Sequence, residues 1–185
     1  MKVNVLKPEI IRFAFRQEKG DPNYGSCLWA NFDFDTVNYD MSIASDCGYY
    51  GYGWPVTPSE PFLKLMARIH DDYLLRKMCQ ESVVDWGATK EGIIEALREN
   101  DSLDEDEVED AIEELEALAD DYDVEESPEY TTALLEKWND ENCRIDDLWD
   151  YVRTDYTGDE KKIAQVFEDH IKPAIREYLK EHCDE

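Results

Sequence analysis

Between Arg98 and Lys137 the chain carries eighteen acidic residues, from Glu99 to Glu136, and no lysine or arginine. Few folds accept such a segment, and its pattern selects one of them. From Ser102 to Asp123, apolar residues recur at spacings of three and four, Val108, Ile112, Leu115, Ala119 and Tyr122, which predicts one amphipathic helix with a buried stripe. Nearly everything off the stripe is acidic. Ser102 is placed to cap the first turn, with Glu105 completing a capping box. Acids in the first turn suit the positive end of the helix dipole, but those beyond Glu113 gain nothing from it.

The helix therefore forms against its own charge. Like charges face each other at Glu105/Glu109, Asp106/Asp110, Glu109/Glu113, Asp110/Glu114 and Glu116/Asp120. Each such pair costs roughly 0.2–0.5 kcal/mol at low salt, so the five cost about 1–2.5 kcal/mol. Interspersed lysines would give solubility and stability together, so the uniform sign implies that the charge itself is used. Eleven acids lie between Asp104 and Asp121. At about 1.5 Å rise per residue that is one charge per about 2.5 Å, between duplex DNA at about 1.7 Å and a single strand at about 3.4 Å.

The remaining composition narrows the class. With 42% hydrophobic and 12% aromatic residues in 185, the chain can bury a real core. A formal charge of −27 argues against direct binding of nucleic acid or anionic membrane and for a basic partner. Residues 1–57 have a net charge of −2 and residues 58–185 the other −25, an asymmetry that points to a local cause rather than adaptation to high salt. The five cysteines, Cys27, Cys47, Cys79, Cys143 and Cys183, are widely spaced with no CxxC pair, which indicates neither a zinc site nor a disulfide framework. With no signal peptide and no long apolar run, a reduced cytoplasmic setting is expected.

Taken in order, residues 10–16 alternate as a half-buried strand with Ile11, Phe13 and Phe15 on one face. After a turn cluster at residues 20–25, a second strand places Leu28, Ala30, Phe32 and Phe34 inward, and a third places Val37, Tyr39, Met41 and Ile43 inward. Connections this short predict antiparallel neighbours. Residues 48–54 form a fourth strand with Tyr50, Tyr52 and Trp54 on one face, either an aromatic platform for a ligand or the seat of a packing helix. Thr57 and Glu60 read as a capping box and Pro58 as the first position of a helix running to Cys79, with Phe62, Leu65, Met66, Ile69 and Tyr73 inward.

From residue 82 only helices are expected: Thr89 to Arg98, the acidic helix, one opened by Ser127 and Pro128, a short one through Ile145, Leu148, Trp149 and Val152, and a last from Asp159 to Glu181 kinked at Pro173. The expected fold is α+β. Residues 1–80 form an N-terminal antiparallel sheet of three to four strands with its packing helix, and residues 81–185 an acidic helical bundle sharing a core with it.

Residues 45–54, with Asp46-Cys47-Gly48-Tyr49-Tyr50, Tyr52 and Trp54, and residues 62–77, with Arg68-Ile69 and Asp72-Tyr73-Leu74-Leu75-Arg76-Lys77, resemble small proteins of phages and integrated elements. In size and charge the chain also resembles phage anti-defence proteins that mimic DNA, among them anti-CRISPR and anti-restriction proteins. That resemblance implies a setting inside a bacterium, with defence nucleases as targets, and assigns no residue a role.

Catalysis is not expected. Cys47 beside Asp46, with His70 on the next helix, is the one arrangement resembling a nucleophile and base, and a neighbouring carboxylate raises a thiol's pKa instead of activating it. Asp104 to Glu107 lack the spacing of a calcium loop, so neither cofactor nor metal is expected. Two readings of function follow. In one, the acids occupy a nuclease groove that grips phosphates. The contact residues are then Asp104, Asp106, Glu107, Glu109, Asp110, Glu113, Glu114, Glu116, Asp120 and Asp121, extended by Asp140, Glu141, Asp146, Asp147 and Asp150. In the other, the protein is an adapter that meets a different basic protein through its aromatic strand.

Overall fold

In the computed structural model, residues 3, 5, 7–55, 60–125, 127–142 and 145–182 are described, without the side chains of residues 141 and 142. Thr57, Pro58, Cys143 and Cys183 lie outside them, as does the Glu141 side chain. The architecture is α+β. The chain divides into two compact units, residues 1–80 with 158–185, and residues 81–157. None of the described helices is long and apolar enough to cross a membrane.

The first unit is a meander. Strands β1 (Ile10–Arg16), β2 (Trp29–Asp35), β3 (Asp40–Ser45) and β4 (Gly48–Gly53) pair antiparallel in sequence order. Strict alternation of apolar and polar residues leaves one face to bury, and Ala30, Phe32, Phe34, Met41 and Ile43 are the residues it buries. Three residues expected inward are outside the strands: Leu28 precedes β2, and Val37 and Tyr39 lie in the β2–β3 turn; Leu28 and Val37 are exposed, while Tyr39 packs edge-on to Phe62 at 5.6 Å. Tyr50, Tyr52 and Trp54 turn onto helices, not onto solvent, with Trp54 edge-on to Phe62 at 5.3 Å and its Nε1 donating to the Tyr73 hydroxyl at 3.2 Å. The packing-helix reading of this strand is the observed one.

The expected single helix to Cys79 is two, α1 (Phe62–Met66) and α2 (Asp71–Met78). The break has a tertiary cause. Arg176 donates from Nη2 and Nε to the Ala67 carbonyl at 3.0 and 3.2 Å, closing α1 from outside, and Asp71 and Asp72 begin a fresh first turn where the dipole favours them. The chain returns to this unit through α6 (Gly158–Val166), a π-helical turn (Phe167–Ile171) and α7 (Lys172–His182). Ile163, Val166, Phe167, Ile171 and Ile175 join the sheet's core. The irregularity expected at Pro173 is taken up just before it, in the π turn, where the ladder adapts to the missing N–H.

The second unit is helical. Helix α3 (Trp86–Arg98) starts earlier than Thr89 because the Asp85 carboxylate accepts from the Ala88 N–H at 3.0 Å. Helices α4 (Glu105–Asp121) and α5 (Pro128–Asn142) follow, then a 3-10 turn (Leu148–Tyr151) where a short α-helix was expected. Two short strands, β5 (Val83–Val84) and β6 (Thr154–Asp155), pair antiparallel. The core is Trp86, Ile93, Leu97, Ala111, Leu115, Val124, Leu135, Trp138, Ile145 and Leu148. Asn139, buried within it, clamps the loop beyond α5 by donating to the Ile145 carbonyl at 2.9 Å and accepting from its N–H at 2.7 Å.

Candidate functional site

The division into units sharpens the charge asymmetry. Residues 81–157 contain twenty-eight acids against five basic residues, a net of −23, whereas the rest of the chain carries −4. Helix α4 is the densest part of that unit. Its capping box is not the one expected at Ser102 and Glu105. It lies two residues later, with Asp104 accepting from the Glu107 N–H at 2.9 Å and Glu107 accepting from the Asp104 N–H at 2.9 Å. The Ser102 hydroxyl instead donates to the Asn100 side chain.

The buried stripe is rotated from the expected one as well. Ala111 and Leu115 are buried, with Val108, Ile112 and Leu118 packed partly against the core, while Ala119 and Tyr122 are exposed. At about 100° per residue this rotation puts Asp106, Glu109, Asp110, Glu113, Glu114, Asp120 and Asp121 on an outward arc roughly 140° wide, centred on Ala117. All seven are exposed, and none has an ion pair among the described residues. Three other expected site residues have structural duties: Asp104 and Glu107 close the cap, and Glu116 pairs with Lys90 at 3.1 Å.

Of the extension, Asp140 is exposed on α5, and Asp146, Asp147 and Asp150 are exposed on or beside the 3-10 turn, with Asp147 at φ 51°. Trp149 projects among them, 60% exposed. Between α4 and α5 an open groove of about 240 Å³ is lined by Glu114, Asp121, Tyr122, Leu134, Lys137 and Trp138, two carboxylates against one ammonium. Carboxylates beside aromatic and aliphatic walls accept a cationic side chain by charge and by stacking. The surface thus presents a row of carboxylates along α4, and beside it a groove with aromatic walls and a net single negative charge.

One chemically distinct grouping lies in the first unit. Cys27, just before β2, meets Asp46 and Cys47, the two residues of the β3–β4 turn, with potential ligand atoms all within 4.8 Å of one another. Gly48, at φ 124°, ends the turn in a conformation that favours glycine. Burial first, then the facing Cys47 thiol and the Asp46 carboxylate, pushes the Cys27 thiol well above its ordinary range, and burial raises Cys47 too. Burial opposes ionisation of Asp46, but N–H groups of Leu28 and Trp29 and the Cys27 thiol outweigh it and hold the carboxyl below its usual value. Neither thiol has the depressed pKa of a nucleophile, and His70 sits exposed at the start of α2. Sequence reasoning missed this cluster because its members are twenty residues apart. Only the β2–β3 register joins them.

A family model described as a phage family, Phage_phiTE_072, matches residues 15–181, and the chain belongs to that family. No curated protein and no solved structure matches it.

Proposed function

We propose that this phage-family protein is a stoichiometric inhibitor of a bacterial defence nuclease, a CRISPR-Cas effector or a restriction enzyme, acting by acidic mimicry of DNA in the host cytoplasm. The observation that carries the reading is the outward arc of α4. Seven exposed carboxylates stand on one rigid helix without partnering cations among the described residues, at about one charge per 3.4 Å of axis, the spacing of a single nucleic-acid strand. A helix maintained against its own repulsion favours a ligand that removes the repulsion, and arginines and lysines of a phosphate-gripping groove do so. Asp106, Glu109, Asp110, Glu113, Glu114, Asp120 and Asp121 make the contacts. The mechanism is competition without turnover, and association is fast and salt-sensitive.

A pull-down of tagged protein from bacterial lysate tests this, run at about 100 mM and about 500 mM salt, where the screening length falls from about 10 Å to about 4 Å. A nuclease captured at low salt and displaced both by salt and by duplex DNA is the expected result. A partner that survives both sinks the mimicry. One observation favours a second reading: Tyr49, 80% exposed, stands on the uncovered face of β4, the side of the sheet left to an adapter contact once Tyr50, Tyr52 and Trp54 are packed.

A further inference from the structure

We propose that Cys27, Cys47 and Asp46 form a binding site for one thiophilic divalent cation, Zn²⁺ or a close analogue, that ties the start of β2 to the β3–β4 turn. The geometry is near to what such an ion needs. Tetrahedral coordination at about 2.3 Å per Zn–S bond sets the two sulfurs about 3.8 Å apart, so ligand atoms already within 4.8 Å close on the ion by side-chain rotation and a movement of about 1 Å. Two sulfurs and one carboxylate oxygen are a donor set for zinc rather than magnesium or calcium, which take oxygen ligands. Asp46 is exposed, so solvent supplies the fourth position.

The surroundings are those of a supported ligand set. The Asp46 carboxylate is oriented by the Leu28 N–H at 2.9 Å and the Trp29 N–H at 3.3 Å, the kind of outer contact that fixes metal-binding carboxylates. Without the ion, the Cys27 thiol donates to Asp46 Oδ1 at 3.5 Å and the Cys47 thiol to the Ser26 carbonyl at 3.5 Å. Binding replaces those two protons: Zn²⁺ takes both thiolates and the carboxylate, and two protons leave to solvent. The complex then carries one negative charge. Lys162, the nearby cation, is itself paired with Asp159 at 2.8 Å, so that charge is left to solvent at the exposed Asp46 side.

The test uses the full chain in reducing buffer, with Co²⁺ as a spectroscopic probe and Zn²⁺ as competitor. One Co²⁺ per chain is expected, with a thiolate-to-cobalt charge-transfer band, tetrahedral d–d bands, and two protons released per metal. Diffuse condensation of cations on α4 produces no sulfur band, which separates the two kinds of binding. A variant keeping only these two thiols (Cys79→Ser, Cys143→Ser, Cys183→Ser) retains the spectrum, Cys27→Ser and Cys47→Ser each lose it, and Asp46→Asn weakens binding by more than about tenfold. Absence of the band in the wild-type chain overturns the site, as does a band that persists when Cys27 and Cys47 are both serine. So does finding the two sulfurs joined as a disulfide in reducing buffer. If Cys27→Ser fails to fold, the proton count and the two-thiol variant still decide. The proposal is independent of the nuclease reading, and neither result bears on the other.

Discussion

Under the proposed DNA mimicry, replacing Glu113 and Glu114 by lysine moves stability and inhibition in opposite directions. Both residues lie on the outward arc of α4, and neither has an ion pair or belongs to the capping box among the described residues. In the native helix, Glu109/Glu113 and Asp110/Glu114 are like-charge pairs at i,i+4, each costing roughly 0.2–0.5 kcal/mol. In the double variant each becomes an acid followed four residues later by lysine, the favourable orientation, gaining about the same amount. The net change is about 0.8–2 kcal/mol of stabilisation, which for a unit of this size raises Tm by roughly 3–16 °C. In the proposed complex, a groove lined with arginines would meet two cations in place of two carboxylates. If removing each carboxylate–guanidinium pair costs about 2 kcal/mol or more, the two cost about 4 kcal/mol and affinity falls by roughly 700-fold or more. Calorimetry at low salt reads the first effect, and competition with duplex DNA for the captured nuclease reads the second. A variant that melts higher and inhibits as well as the parent refutes the assignment of contact residues. One that melts lower refutes the repulsion argument beneath it.

Three further outcomes follow from the packing. Asn139→Ala strips both hydrogen bonds from Ile145 and costs about 1–3 kcal/mol in urea unfolding, while leaving the first unit's core untouched. Lys172 has its Nζ 2.6 and 2.7 Å from the two oxygens of Glu168, with side chains 3% and 35% exposed. Glu168→Gln therefore leaves a buried ammonium without its counter-charge and costs about 1–3 kcal/mol, whereas Lys172→Met, leaving a partly solvated carboxylate, falls within about 1 kcal/mol of the parent; equal losses would refute this asymmetry. Burial works against ionisation of Asp35, yet hydrogen bonds from Asn38, Glu9 and Val37 hold its carboxyl below the ordinary 3.8. A depressed folded value means stability present above the unfolded value and lost as pH falls through the folded one. Asp35→Asn should then destabilise near neutrality and flatten the acid limb between about pH 5 and pH 2, measured by urea titration; an unchanged limb contradicts it.

Strands β1 to β4 were legible because alternation at period two is a local signal, and the short links between them leave antiparallel pairing as the simple outcome. Helix α5 was legible for a similar reason: Ser127 and Pro128 mark its start in the sequence, and in the structure Ser127 accepts from the Tyr130 N–H at 3.1 Å. The α4 cap was read two residues early because Ser102 and Asp104 both stand three residues before a glutamate. Choosing between them depends on where the buried stripe meets the core. The stripe itself was misplaced through Ala119 and Tyr122, since Ala111 and Leu118 lie close enough on the wheel to compete and only α3 and α5 decide which side is covered.

By itself, the sequence determined the elements whose cause is local: the alternating strands, the amphipathic helices and the concentration of one sign of charge on α4. Tertiary structure decided what depends on residues meeting across distance. Arg176 breaks α1 from α2, the last helices return to cover the sheet, and Cys27 is set beside Asp46 and Cys47. Periodicity and capping act within a few residues, so they can be read along the chain. Contacts such as these exist only once the sheet has its register and the helices have a surface to pack on.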